Sequence, residues 1–416
     1  MSMKKLIKLS FCFIFLLQAF SVFAVEYDVR TFTLFNIRQR AYALENEKSE
    51  FLFYEYIDLS LKEIGTQGLS FSAYGWGRGS SDLVFDEKTE NGALSYAVLA
   101  YRPRKLRASF EFGRIFSFAG TSFEQFDGFS VSGEFIPAVQ IKIFGGSPVN
   151  YTFSKAGRGD LLYGARLSTS FKGFFNIGVN YLKEDSDDGV FREEGGIDLW
   201  LKPAKFIDLS GHLFYNNITD NVSNYRALLV LRPYKQASFS AELSKFTYSD
   251  YFFATPLSVF HFPKGEEIQK LKVGFDLPAT KKLSFNLNYH SFEFKQKDSA
   301  DRYSVEARYG FGDDGSCAGV SLISMSGTDI SQEYDEIQSY LFYEKKKFQG
   351  SMYFVGTAYD EALFGIKNVY QLLASSGWKF RDGLIISADV QYDKNPQYKQ
   401  NVSGMLRLKY NFSKKS

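Results

Sequence analysis

The chain has 416 residues, of which 45% are hydrophobic and 18% aromatic, including 44 Phe and 27 Tyr. A charged fraction of 23% and a net charge of +2 exclude a disordered or collagen-like chain and give no electrostatic reason to expect nucleic acid. No run approaches the roughly 18–20 apolar residues that a spanning helix needs, so a helical membrane protein is excluded and a large β protein remains.

The N-terminus reads as a cleaved signal peptide over residues 1–24. Lys4, Lys5 and Lys8 precede the apolar stretch Phe11 to Phe20, and Val22-Phe23-Ala24 ends in a small residue. Cleavage after Ala24 removes three Lys and no acid, which takes the charge from +2 to −1. The exported chain keeps one cysteine, Cys317, so no intramolecular disulfide can staple it.

From Thr31 to Phe412 apolar and polar residues alternate with period two, the mark of strands with one wet and one apolar face. Residues 105–114, 236–246, 282–290, 301–311 and 384–392 show it most clearly. Short turns carrying Pro, Gly or Lys punctuate the strands, among them Arg102-Pro103-Arg104-Lys105, Lys172-Gly173, Pro278-Ala279-Thr280-Lys281 and Arg381-Asp382. Between them longer polar loops are expected at 77–92, 116–127, 145–158, 183–194 and 247–268. Ten short turns at one rim and longer loops at the other predict an all-β, antiparallel up-and-down transmembrane barrel. The ten turns imply about 22 strands (range 18–22), with both termini at the short-turn rim. A single barrel domain spans residues 25–412, followed by a short tail, 413–416.

Soluble all-β folds fit less well. No blade repeat points to a propeller, and an outward apolar row on every strand would aggregate in water. In lipid that row is required, and closing the sheet satisfies every backbone donor and acceptor. Aromatics fall at the ends of the apolar rows, at Tyr163, Phe171, Phe175, Tyr181, Tyr225, Tyr289, Tyr303 and Phe412, as headgroup girdles would place them.

The last strand carries a resemblance to a family. Val402, Gly404, Leu406, Leu408, Tyr410 and Phe412 share one face, and the strand ends Tyr410-Asn411-Phe412. It resembles the assembly signal of Gram-negative outer-membrane β-barrels, with Tyr410 and Phe412 in the signal positions. The resemblance implies an integral outer-membrane protein, surrounded by that membrane's lipid and inserted by the barrel assembly machinery. The departure is the tail after Phe412. A second resemblance covers 110–149: Phe112-Gly113-Arg114, Phe126-Asp127-Gly128 and Gly145-Gly146-Ser147-Pro148-Val149 look like segments of porin-like proteins and of the barrel subunits of porin–cytochrome conduits. Read locally, the same glycines serve close backbone approach and turn geometry.

With the apolar rows toward lipid, the other rows line the lumen. They include Arg107, Glu111, Lys142, Arg166, Arg226, Glu242, Lys272, His290, Arg302, Glu306, Arg308 and Arg407. Charges of both signs on a wet wall suit the passage of polar solutes. Only residues 25–30 precede the first strand, so no plug domain is expected and the lumen must be narrowed by loops, filled by a partner or left open. The 247–268 loop, with Tyr248, Tyr251, Phe252, Phe253, Phe260 and Phe262, is the candidate for an inward constriction or a partner contact.

Enzyme readings are poor, with three histidines and no nucleophile, zinc or phosphate-loop motif, and no cofactor or metal is expected. The acidic stretch Glu184-Asp185-Ser186-Asp187-Asp188-Gly189 reads as a solvated loop. Two functions follow as expectations: a passive channel (porin) for small hydrophilic solutes or ions, or a barrel sheath that holds a multihaem cytochrome as a trans-membrane electron conduit.

Overall fold

The computed structural model describes residues 24–414, apart from 43–47, 66–67, 81–89, 120–121, 137, 150–159, 172, 188, 235–236, 248–266, 296, 313–314, 364 and 396–397. The proposed signal peptide and the aromatic 247–268 segment therefore lie almost wholly outside the described residues.

Twenty-two strands follow one another along the chain. They are β1 (Ala24–Tyr42), β2 (Lys48–Ile64), β3 (Leu69–Ser80), β4 (Glu90–Tyr101), β5 (Ala108–Ala119), β6 (Ser122–Ile136), β7 (Val139–Pro148), β8 (Leu161–Phe171), β9 (Phe175–Ser186), β10 (Gly189–Ala204) and β11 (Ile207–Asn216). The second half holds β12 (Asn221–Tyr234), β13 (Ala237–Thr247), β14 (Glu267–Pro278), β15 (Leu283–Phe294), β16 (Lys297–Gly310), β17 (Cys317–Gly327), β18 (Tyr334–Lys345), β19 (Phe348–Leu363), β20 (Ile366–Arg381), β21 (Leu384–Lys394) and β22 (Tyr398–Lys414). Each pairs antiparallel with its neighbours in sequence, and β1 pairs with β22, so the sheet closes without an edge. The one helical turn among the described residues is a 3₁₀ turn, Ile330–Gln332.

Because the strand number is even, the start of β1 and the end of β22 meet at the same rim. The seam there runs from Tyr27 opposite Lys414 to Tyr42 opposite Tyr398. Phe412 packs on Tyr27 with ring centroids 5.4 Å apart and stacks on Tyr410 at 6.5 Å. Ser413 and Lys414 extend β22 rather than forming a free tail. Beside the seam Val29, Leu59 and Leu61 form a small buried cluster against Tyr27, Ile64 and Phe71.

Contacts between strands that are not neighbours identify the inner face, because only the concave side brings such side chains together. Tyr340 of β18 donates to Glu306 of β16 at 2.8 Å, and Tyr96 of β4 to Asp58 of β2 at 3.1 Å. Lys379 of β20 reaches Glu344 of β18 at 3.0 Å. Side chains of opposite parity point outward, and they are the exposed large apolar residues: Leu99, Phe112, Leu271, Leu287, Val305, Leu322, Ile337 and Leu406 among them. The girdle aromatics lie on this outer face, where Tyr225 shares register with Leu213 and Tyr289 with Tyr303.

An outward apolar belt tolerates no charge. Leu287→Arg is expected to lower the stability of the folded barrel by about 2–4 kcal/mol if Leu287 sits near the bilayer midplane. Urea unfolding in lipid vesicles measures it, and an unchanged midpoint would contradict the outward assignment of β15.

Two of the expected long loops are strand. Residues 116–127 complete β5 and β6, joined through 120–121, and 183–194 complete β9 and β10, joined through 187–188. Their polarity misled because a lumen-facing row of a barrel can be as polar as a loop. Glu184, Arg192 and Glu194 are wall residues.

Candidate functional site

The β5–β6 hairpin leaves the barrel wall. β5 follows β4 only as far as Arg114 opposite Ala97, and β6 follows β7 only from Phe126 opposite Pro148. Above those points the register, among the described residues, joins the two strands to each other only, from Phe116 opposite Gln125 to Ala119 opposite Ser122, with one last backbone bond from Val149 N to the Gln125 carbonyl at 3.0 Å.

The detached part folds into the lumen. Ile115 and Phe126 pack against Phe144 of β7, Leu162 of β8 and Leu182 of β9, all of which face inward, and none of the five is more than 1% exposed. An apolar row facing an open, wet lumen would not be covered in this way. Near the tip, the Lys142 ammonium of β7 donates to the Phe118 carbonyl at 3.3 Å. Glycines make the bend possible. Gly113 has φ +121°, and a Cβ there would overlap the Ala97 carbonyl oxygen. A Cβ on Gly128 would overlap the carbonyl oxygen of Gly145 in the next strand. These glycines are part of the 110–149 segments that resemble porin-like proteins, so close approach is their local role.

A buried ion cluster pins the hairpin. Arg192 of β10 reaches Glu124 of β6 through Nη1 and Glu194 through Nη2 at 2.7 Å, so it bridges strands four positions apart in the sheet. Glu124, Glu184 and Glu194 are each at most 2% exposed, and Glu184 faces Arg192 across the β9–β10 register. The cluster is hidden in the sequence by the polarity of 183–194, which predicts a loop where β9 and β10 continue. The signal was the period-two continuation Arg192, Glu194, Gly196, Asp198 into an accepted strand.

The remaining candidates are distributed around the inner wall. Glu111, Lys142 and Arg166 lie on β5, β7 and β8, and Arg166 makes a bidentate pair with Asp198. Arg107 precedes β5 in the short-turn connection and pairs with Glu134 at 2.9 Å, so it belongs to the rim rather than to a strand. Glu242 joins Arg226 at 2.7 Å and Lys270 at 3.0 Å. Lys272, His290 and Arg302 occupy one register row across β14, β15 and β16. Glu306 accepts from Tyr340, Arg308 is exposed next to Cys317, and Arg407 pairs with Asp389.

Roughly half a turn away the wall is aromatic. Tyr56, Tyr74 and Tyr96 stack across β2, β3 and β4, with centroids 6.4 and 5.9 Å apart. Nothing in the local sequence marks these tyrosines as a row, because only the register across three strands brings them together. The tyrosine row lies roughly opposite the Lys272, His290 and Arg302 row across a lumen that the hairpin narrows.

Solved structures share this architecture. The siderophore receptor PirA from Pseudomonas aeruginosa aligns with a TM-score of 0.62 at 12% identity, over 92% of this chain and 80% of that one. The translocation pore of the P pilus usher PapC aligns at 0.52 with 11% identity, over 93% of this chain and all of that one. The chain has the fold of a Gram-negative outer-membrane β-barrel. Pseudomonas aeruginosa OccK1 aligns with a TM-score of 0.45 at 10% identity, over 94% of this chain and all of that one. No protein-family model and no curated relative matches the barrel.

Proposed function

We propose that the protein is an outer-membrane channel for the passive diffusion of small hydrophilic solutes or ions. The carrying observation is the inner wall: a closed barrel lined with charges of both signs and narrowed by its own β5–β6 hairpin. The exposed apolar belt supports residence in a bilayer, and the barrel fold supports assembly by the outer-membrane machinery through Tyr410 and Phe412. The reading assigns no catalytic role and no cofactor.

Reconstituting the purified protein in planar bilayers tests it. Stable unitary conductance steps are expected, and their absence from correctly folded barrel would overturn the proposal. Exchanging Arg302→Glu together with Arg308→Glu should move the reversal potential in a salt gradient toward cation preference, because wide pores select through the field of their wall charges. An unmoved potential would place those side chains outside the conducting path.

The alternative is a sheath around a multihaem cytochrome. The inward hairpin favours the channel, since it occupies wall against which a guest would pack. Purification from native membranes in mild detergent separates the two: a stoichiometric haem-staining partner would reverse the preference.

A further inference from the structure

A cavity of about 600 Å³ lies where the tip of the inward hairpin approaches the short-turn rim. Four cations line it: Arg102 and Arg107 from the connection between β4 and β5, Lys142 from β7 and Arg166 from β8, with Phe118 of the hairpin beside them. Two are neutralised, Arg107 by Glu134 at 2.9 Å and Arg166 by Asp198. The other two are not. Arg102 donates to the Ser109 hydroxyl at 3.3 Å, and Lys142 to the Phe118 carbonyl at 3.3 Å. Among the described residues neither has a carboxylate within ion-pair distance.

We propose that this cavity binds a small free oxyanion of phosphate type. Glu111 of β5 acts on Lys142 electrostatically without pairing with it, so one positive charge stays in surplus and sets the sign of the ligand. Its donors set the shape. A guanidinium fork and an ammonium converge from different strands, and forked donors match the paired oxygens of an oxyanion better than a spherical halide. Side-chain hydroxyls of Ser109, Ser132 and Ser168 on the same lining can complete the shell. The site deepens the channel reading and rests on it for the route of the anion. It also couples the anion to the constriction, because Lys142 already holds the hairpin backbone at Phe118.

Calorimetric titration of the folded barrel in detergent with inorganic phosphate, at constant ionic strength, tests the site. Saturable binding is expected. Lys142→Met and Arg102→Gln should each weaken it about fivefold or more, as loss of a charge-assisted donor does. Lys347→Met, which removes an equal charge in the distant β18–β19 turn, should leave it unchanged. Heat-modifiable migration establishes that each variant is folded. Absence of saturable binding, an affinity unchanged from the parent in both cavity variants, or displacement of phosphate by an equal concentration of chloride would overturn the proposal. The titration needs no conduction, so the two failures are distinct. A barrel that binds phosphate but passes no current sinks the channel reading alone, and one that conducts without binding sinks the site alone.

Discussion

Arg192→Met should cost the barrel about 3–5 kcal/mol, the usual penalty for removing one member of a buried ion cluster. The reason lies in what is left behind. Glu124 and Glu194 are almost wholly excluded from solvent, and without the guanidinium two carboxylates in a low dielectric lose the cation that bridges them. The hairpin is then expected to detach from β7–β10, uncovering Phe144, Leu162 and Leu182. Urea unfolding in lipid vesicles gives the stability, and single-channel recording gives the second readout: a larger or noisier conductance as the constriction loosens. Adding Glu124→Gln and Glu194→Gln to the same chain should recover most of the loss, because neutral amides need no counter-charge. A single variant as stable and as quiet as the parent would show that the cluster does not hold the hairpin.

Gly128→Val should be nearly as damaging, for a steric rather than an electrostatic reason. The new Cβ would overlap the Gly145 carbonyl oxygen, a backbone atom that cannot rotate away. The cost is expected at the upper end of overpacking, about 3 kcal/mol, and it falls on the bend that turns the hairpin inward. Gly404→Val is the matched control. It lies on β22, where a Cβ would meet nothing within 4 Å, and it should change stability by no more than about 0.5 kcal/mol. Comparing the heat-modifiable fraction of the two variants in membranes decides the matter. Equal assembly would mean that the close approach of β6 and β7 is dispensable.

Both substitutions probe the inward hairpin rather than the barrel around it. The barrel itself was legible in sequence. From β13 to β17 each strand alternates so regularly that its two faces can be assigned without coordinates, and the ten short turns imply about 22 strands, in a range of 18–22, with both termini at one rim. That follows from the physics of a closed sheet in lipid: one face must be apolar, and period two leaves no freedom about which residues those are. Inward placement of charges such as Lys272, Arg302 and Glu306 follows from the same parity.

The hairpin was not legible, and the reason is physical. Once a strand leaves the wall and packs inside, its alternation no longer sorts lipid from water. Ile115 and Phe126 find an apolar surface within the lumen, and Phe144, Leu162 and Leu182 are apolar residues on a face where parity predicts polar ones. In the same region Arg192, Glu184 and Glu194 look like a solvated loop until strands four positions apart close over them. Local sequence determined a closed barrel of about 22 strands and the polarity of most of its wall. The place where that wall folds inward, the arginine that pins it and the cation-lined cavity beneath it were decided by tertiary contacts between residues far apart in the chain, which period and composition do not encode.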